Sequence, residues 1–128
     1  MPVRIVQLGS PRRRGEGLRI GTVRRPPRGV RKSQYARRDW FDVWMPNLAP
    51  SASLMRETWI REDGTGWSTF ARRFQAEMKK PEQAHLLEVL AALSHHASFS
   101  VGCYCPDERH CHRSLLRRAL RERGAVVK

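Results

Sequence analysis

Three segments of the chain repeat apolar residues at spacings of three and four, which is typical of amphipathic helices. The first begins near Trp67, the second has Pro81 in its first turn, and the third is followed by Gly124 as a C-cap. A shorter helix is predicted to start at the N-cap Ser51 and to run to Trp59. The apolar stripes of the long helices are Trp67, Phe70, Ala71, Phe74 and Met78; Leu86, Leu87, Leu90, Leu93 and Ala97; and Leu115, Leu116, Ala119 and Leu120.

Short apolar or β-branched runs predict strands at both ends of the chain, over residues 3–8, 18–23, 40–45 and 99–105, with a final edge strand at Val126 and Val127. Strands first and last with helices between them predict an α/β fold: a single compact domain over residues 1–128, with a small, mostly parallel sheet flanked by helices. Residues 1–16 form its basic N-terminal strand and turn. Ligands in such folds bind beyond the carboxyl ends of the strands, which points to two loops, residues 24–32 and 105–112.

Length and composition narrow the class of protein. The chain has 128 residues, 40% of them hydrophobic, and four tryptophans, which argues against disorder. No apolar run approaches the roughly 20 residues of a membrane helix, and no secretory signal precedes the first strand. Three cysteines are too few for a disulfide framework. We therefore expect a globular cytoplasmic protein with no membrane partner.

The net charge of +13 is concentrated at the two ends of the chain. Residues 1–38 contain twelve lysines and arginines against one acid, and residues 109–128 contain seven against one. If the ends meet, they form a surface that attracts a nucleotide, a phosphorylated metabolite or a nucleic acid. Arg24, Arg25 and Arg28, on a stiff proline-containing loop, are candidate ligands for such an anion. A solvated basic surface is the alternative interpretation.

Residues 103–113 contain all three cysteines and two of the five histidines. One interpretation is a thiol site that binds an anion. Cys111 is expected at the N-terminus of the last helix, where free N–H groups lower the pKa of a thiol and attract anions. It would be a nucleophile or redox centre, and His112 a general base or anion ligand. Arg113 and Arg117 share a helix face and would hold a phosphate or carboxylate of a small ligand.

Other interpretations of the same segment remain open. Cys103, Cys105 and Cys111, with His110 or His112, offer a ligand set for zinc, although no cofactor is required by the sequence. Cys105 and Cys111 could close a disulfide. Cys103 and Cys105 also fit as buried small hydrophobic residues.

A phosphatase-type loop is disfavoured although residues 111–117 fit the pattern Cys-x5-Arg. Such a loop needs small residues that curl around a phosphate, whereas Leu115 and Leu116 already belong to the helical stripe. Along a helix Cys111 and Arg117 would point in different directions.

A nucleic-acid-binding module is the alternative from a different class of function. Its basic ends would contact phosphates, and Trp40, Trp44 or Tyr35 would stack on bases. The chain has no recognisable reading motif for a nucleic acid. The sequence leaves open whether the protein is an enzyme, because it contains neither a P-loop nor a glycine-rich dinucleotide fingerprint.

Several motifs, in this order along the chain, resemble those of the domain of unknown function 488 family. They are Pro27-Arg28-Gly29, Ala49-Pro50-Ser51, Trp67 with residues 70–77, and Cys103 followed eight residues later by Cys111-His112-Arg113. The resemblance covers roughly residues 17–120.

The resemblance implies a compact α/β domain and adds no established activity. By position, Arg28, Cys103, Cys111, His112 and Arg113 match motif residues, so that Cys103 joins Cys111 and His112 as a candidate catalytic residue. Members of the family often have Glu two residues after the first Cys, where this chain has Cys105. That difference favours a thiol pair or a metal site over an acid/base role at this position.

Overall fold

The computed structural model describes residues 2–61 and 63–128 and, over those residues, forms four strands and four α-helices. The strands are β1 (Val3–Gln7), β2 (Leu18–Gly21), β3 (Val43–Trp44) and β4 (Phe99–Cys103). The helices are α1 (Ala52–Glu57), α2 (Trp67–Met78), α3 (Pro81–Leu93) and α4 (His112–Glu122). The predicted single-domain α/β fold is confirmed.

All four strands are parallel and lie in the order β1-β4-β2-β3. The last strand in sequence therefore lies in the middle of the sheet, between β1 and β2. Gly21 lies opposite Gly102 in this register, so that the carboxyl ends of β2 and β4 are neighbours. The predicted final edge strand is reduced to one parallel bridge between Val3 and Val127.

The four helices supply the main hydrophobic core on one face of the sheet. Alternate strand residues, among them Val3, Ile20 and Val101, belong to this core. The spacing of three and four that predicted the helices is the spacing of their buried side chains, because only one side of each helix faces the sheet. These helix residues are Leu54, Phe70, Phe74, Met78, Leu87, Leu90, Ala91, Leu115, Leu116 and Leu120.

Three predicted helix ends are confirmed, at Ser51, Pro81 and Gly124. Ser51 is the N-cap of α1, and its Oγ accepts a 3.1 Å hydrogen bond from the backbone N–H of Leu54. Pro81 is in the first turn of α3, where its missing N–H costs no hydrogen bond. Gly124 follows α4 with a φ of +83°, in the left-handed region that glycine adopts without strain. Helix α1 ends at Glu57, two residues earlier than predicted. Helix α3 ends at Leu93, which is exposed, so that Ala97 of the predicted stripe lies beyond the helix.

Loops, not helices, cover the second face of the sheet, and they bury an ion pair there. Arg19 has none of its surface exposed and contacts Glu16 at 2.7 and 3.0 Å. Its third nitrogen donates to the carbonyls of Ser10 and Asp39, and Ser100 donates to Glu16 at 2.8 Å. The strand predicted over residues 18–23 gives no indication that Arg19 is buried. The structure buries it because its donors find acceptors in two loops.

The third predicted strand, over residues 40–45, is shorter than expected. Only Val43 and Trp44 pair with β2. Asp39 has a φ of +61°, which turns the chain, and Phe41 enters a small second core with Leu8 and Val23.

None of the helices in the described part of the chain is long and apolar enough to cross a membrane.

Candidate functional site

The segment that follows β4 returns to the carboxyl edge of the sheet. Cys103 is the last residue of β4, a short 3-10 turn covers Glu108–His110, and Cys111 is the N-cap residue of α4. The expectation that Cys111 lies at the N-terminus of the last helix is confirmed. Because β4 is central in the sheet, this loop lies beside the end of β2.

Cys103, Cys111 and His112 form one compact group, which we call the thiol cluster. One sulfur or ring nitrogen from each residue lies within 4.8 Å of the others. The Sγ of Cys111 is 3.8 Å from Nδ1 of His112. Cys111 and His112 are buried, and Cys103 is partly exposed. All three cysteines have free thiols.

His112 is oriented by a residue that the sequence analysis did not select. Its Nε2 lies 2.7 Å from the carbonyl oxygen of Thr22, just beyond the end of β2. Thr22 is itself held by two hydrogen bonds to the carbonyl of Gly102, from its N–H at 3.0 Å and from its Oγ1 at 2.8 Å. A carbonyl only accepts hydrogen bonds, so the ring proton is on Nε2. The lone pair of Nδ1 therefore faces the thiol of Cys111.

The pKa values of Cys103 and Cys111 are shifted in opposite directions. The hydrogen bond from Cys111 lowers the pKa of Cys103 to about 7, against the opposing effect of burial. The same hydrogen bond, together with burial, raises the pKa of Cys111 to about 12. The N-terminus of α4 was expected to lower the pKa of Cys111. The structure places the lowered pKa on Cys103, because the interaction of Cys111 with Cys103 and burial outweigh the lowering of the Cys111 pKa by His112.

Arg113 is the charged residue beside these thiols, and only 4% of its surface is exposed. Its Nη2 donates to the carbonyl of Cys105 at 2.5 Å, and its positive charge lowers the pKa of Cys103. Among the described residues no carboxylate pairs with Arg113, and its Nε has no hydrogen-bond partner. A buried cation without a carboxylate favours a negative charge close by, on a thiolate or on a ligand.

A cavity of about 400 Å³ opens onto the thiol cluster. Its walls are mainly apolar, with Val23, Met55, Ile60 and Phe70 beside the cysteines. Arg24 and Arg25 also line it, as part of the predicted loop 24–32. The position agrees with the rule that ligands bind beyond the carboxyl ends of parallel strands.

The arginines of the basic loop differ in their relation to this cavity. Arg24 is fixed in place, since its Nε donates to the carbonyl of Pro50 at 3.1 Å, and Arg25 is exposed. Arg28 lies outside the lining and contributes to a neighbouring cleft. The structure thus separates three arginines that the sequence grouped.

Two other predicted residues lie apart from the thiol cluster. Arg117 forms a two-pronged ion pair with Glu108, at 2.9 and 2.8 Å, and does not line the cavity. Cys105 lines the cavity but is not among the three clustered ligand atoms; its Sγ lies 3.6 Å from the carbonyl of Asp107. Burial raises the pKa of Cys105. The metal-ligand set thereby reduces to Cys103, Cys111 and His112.

Sequence reasoning missed the residues that shape the cavity from other parts of the chain. Met55 and Ile60 come from α1 and the segment after it, and Thr22 acts through its main chain. Main-chain carbonyls leave no signal in a sequence. Tyr104, between two cysteines of the motif, was the one detectable candidate: it lines the cavity, and burial raises its pKa to about 12.

Fold and site together define a small parallel α/β domain with a Cys-Cys-His cluster at the carboxyl edge of its sheet. The chain belongs to the DUF488-N3a family, described as the active DUF488-N3 subclade, which matches residues 3–124. The resemblance to the domain of unknown function 488 family is thereby confirmed. No curated protein and no solved structure matches the chain.

Proposed function

We propose that this protein is a thiol enzyme for a small anionic substrate, with Cys103 as the nucleophile. The observation that carries the proposal is the placement of the thiol cluster at a cavity that Arg24 and Arg25 also line. A nucleophile, a proton network and cations in one concave site are the parts that covalent catalysis needs. The description of the subclade as active agrees with an enzyme.

Each residue of the cluster has a separate role in the proposed reaction. The Sγ of Cys103 forms a bond to the electrophilic atom of the substrate, and the bond to the leaving group breaks and takes its electron pair. The leaving group receives its proton from the thiol of Cys111. Nδ1 of His112, 3.8 Å from Sγ of Cys111, accepts the proton of the water that later attacks the bound group and returns it to the Cys111 thiolate, while the bond to Cys103 breaks and restores the Cys103 thiolate. The sequence-based expectation that Cys111 is the nucleophile stays a prediction.

The cations supply the preference for an anion. Arg24 is held rigidly by main-chain carbonyls and Arg25 is free to meet a substrate from the rim. Arg113 is buried behind the cluster, where its charge favours the thiolate of Cys103. The mainly apolar walls leave room for the uncharged part of the substrate and strengthen each charge interaction.

Alkylation with a charged and an uncharged reagent tests nucleophile and anion preference together. Both iodoacetate and iodoacetamide form an S–CH2 bond and release iodide, but only iodoacetate is an anion. We expect the first label at Cys103, located by peptide mass spectrometry. We also expect the rate ratio of iodoacetate to iodoacetamide to exceed that of glutathione by about tenfold.

Matched arginine variants identify the source of that preference. Arg25→Ala should reduce the rate ratio towards the value for glutathione. Arg38→Ala, which removes an equal charge from an exposed side chain outside the cavity lining, should leave the ratio unchanged. First labelling of Cys111, or equal effects of the two variants, would contradict the proposal.

A zinc site formed by the same cluster is the second candidate function. The donor set fits: two Cys and one His are the protein ligands of one kind of catalytic zinc site, which needs three ligands from the protein. The hydrogen bond from Nε2 of His112 to Thr22 leaves Nδ1 available, which is how metal-binding histidines are normally oriented. Zinc bound there would supply a Lewis acid, and the spacing of 3.8 Å between Sγ of Cys111 and Nδ1 is close to the ~3.6 Å of tetrahedral zinc.

Metal analysis of the freshly purified protein separates the two candidates. About one zinc per chain, lost in Cys103→Ser and kept in Cys105→Ser, would establish the metal site. In that case iodoacetate should label Cys103 only after a chelator is added, because the zinc-bound sulfur is shielded. Absence of zinc, with fast labelling of Cys103, favours the thiol enzyme.

A further inference from the structure

The loop of residues 24–38 concentrates positive charge that the rest of the protein does not neutralise. It contains seven lysines and arginines and no acid. None of these seven residues has a carboxylate within ion-pair distance in the described part of the chain. All except Arg24 are exposed, so the loop offers a row of cations to solvent. They are Arg24, Arg25, Arg28, Arg31, Lys32, Arg37 and Arg38.

Two clefts with aromatic walls lie beside this loop. The Trp40 cleft, of about 460 Å³, is lined by Trp40 and Tyr104 with Arg25 and Arg28. The Tyr35 cleft, of about 420 Å³, is lined by Tyr35, Phe41 and Trp44 with Lys32, and also by Asp42, whose charge is paired with Arg12. Pro26 belongs to both linings, so the two clefts are neighbours. Each cleft combines flat rings with at least one cation.

The rings are held in place before any ligand binds. Tyr104 donates from its hydroxyl to the carbonyl of Arg25 at 2.9 Å and meets Trp40 edge to face, with ring centroids 5.7 Å apart. Trp44, 43% exposed, donates from Nε1 to the carbonyl of Val23 at 2.7 Å. Tyr35 meets Phe41 edge to face at 5.1 Å. Fixed rings lose little conformational entropy when a flat group stacks on them.

We propose that the loop 24–38 and its two aromatic clefts bind single-stranded nucleic acid. Successive bases would stack in the Trp40 and Tyr35 clefts, and the exposed cations would contact the phosphates between them. Stacking rings interleaved with cations are the usual means of holding a single strand, because every base has a flat face and every linkage has a charge. A duplex fits less well, since its base faces are covered by their neighbours.

The binding surface adjoins the cavity of the thiol cluster. Arg25 and Tyr104 line both the Trp40 cleft and that cavity. A strand seated in the clefts would therefore bring one of its nucleotides to Cys103. That last step, which makes a nucleic acid the anionic substrate, rests on the proposed function, whereas binding in the clefts does not.

Fluorescence anisotropy with a dye-labelled twelve-residue oligo(dT) tests the binding surface on the full chain. The test variant combines Arg28→Ala, Arg31→Ala and Arg37→Ala. Its matched control combines Arg72→Ala, Lys79→Ala and Lys80→Ala, which removes the same charge from exposed positions on the helical face. We expect the test variant to weaken binding at least tenfold and to reduce the slope of log affinity against log salt by about 2. The control should change both much less.

Stacking is tested separately. Tyr104→Leu should weaken binding about tenfold, whereas Tyr104→Phe, which keeps the ring, should bind nearly as well. An equal loss of affinity in the triple variant of the loop and in its triple control would contradict the proposed site, because the strand would then be attracted by net charge alone. Equal affinity for a twelve-base-pair duplex, or competition by dTMP at the same concentration as the strand, would overturn the single-strand proposal.

The thiol chemistry and the binding surface are tested by different assays, so that either proposal can be contradicted without the other. Cys103→Ser abolishes alkylation at that position and should leave the affinity for oligo(dT) unchanged. If the protein binds the strand but shows no preference for iodoacetate, the proposed binding surface is supported and the proposed enzyme is contradicted. If the protein prefers iodoacetate but does not bind the strand, the proposed enzyme is supported and a nucleic acid is contradicted as its substrate.

Discussion

Nε2 of His112 lies 2.7 Å from the main-chain oxygen of Thr22, a residue 90 positions earlier in the chain. This hydrogen bond joins the first turn of α4 to the end of β2. It places the ring proton on Nε2 and leaves Nδ1 for the thiol of Cys111 or for a metal ion. One contact thereby fixes both the position and the tautomer of the central residue of the site.

Replacement of His112 should lower stability as well as change the site. His112→Ala leaves the carbonyl of Thr22 without its partner and removes the ring that packs 5.6 Å from Phe74. We expect the free energy of unfolding in urea to fall by about 2 kcal/mol. His96→Ala, at an exposed position, should change it by less than about 0.5 kcal/mol. Similar losses in the two variants would show that the contact to Thr22 contributes little.

The thiol of Cys111 should control the reactivity of Cys103. In chelator-treated protein, the rate of alkylation of Cys103 by iodoacetamide should reach half its maximum near pH 7. Cys111→Ala removes the hydrogen bond that stabilises the thiolate, so the pKa of Cys103 should rise towards its ordinary value of 9.0. At pH 7 alkylation should then slow about fivefold, since the loss of thiolate is partly offset by its higher nucleophilicity.

Cys105→Ala is the matched control for that experiment. The backbone N–H of Cys105 lowers the pKa of Cys103, and the substitution keeps it, whereas the charge of the Cys105 thiolate raises that pKa and is removed. The pH profile of the control should therefore stay close to that of the wild type or move to lower pH, never to higher pH. A shifted profile for Cys105→Ala with an unchanged one for Cys111→Ala would reverse the assignment.

The buried ion pair of Glu16 and Arg19 should make stability depend on acid pH. Burial alone would raise the pKa of Glu16, but hydrogen bonds from Arg19, Ser100 and the N–H of Arg13 lower it from 4.5 to about 2. The charged carboxylate therefore stabilises the fold above pH 4.5. That contribution, about 3 kcal/mol, is lost as the pH falls from about 4.5 to about 2.

Glu16→Gln tests this pair by urea unfolding at pH 7 and at pH 2.5. At pH 7 the variant should be less stable by about 3 kcal/mol, because Arg19 keeps a buried charge without a partner. At pH 2.5 the difference from wild type should shrink. Glu122→Gln, in the exposed pair with Arg118, should have little effect at either pH. A constant difference between wild type and Glu16→Gln would contradict the lowered pKa.

Ser51 should act as a structural residue rather than a catalytic one. It caps α1, and its hydroxyl and N–H both donate to the carboxylate of Glu77 in α2. Ser51→Ala should therefore lower the free energy of unfolding by about 1 to 2 kcal/mol and leave the alkylation rate of Cys103 unchanged. Ser68→Ala, exposed in α2, is the control and should be close to neutral. Slower alkylation in Ser51→Ala would place Ser51 in the site.

The sequence predicted those parts of the site that are local in the chain. Cys103, Cys111 and His112 lie within ten residues, and a strand followed by a helix turn returns them to one place. The loop of Arg24 and Arg25 was found because ligands bind beyond parallel strands. Cys105 and Arg117 lie in the same segment but outside the thiol cluster, because Arg117 pairs with Glu108 and Cys105 turns towards Asp107. Spacing along the chain does not distinguish such directions.

The sequence by itself determined the helices, their caps, the parallel α/β class and the motif that carries the chemistry. These follow from spacings of a few residues, since a helix repeats every 3.6 residues and a strand every two. Only the tertiary structure decided which strand is central, that Thr22 orients His112, that Arg19 is buried, and which thiol is the stronger acid. Those properties depend on which groups, distant in the chain, come into contact when the chain folds. Hydrogen bonds between residues 80 to 90 positions apart leave no periodic signal in the sequence.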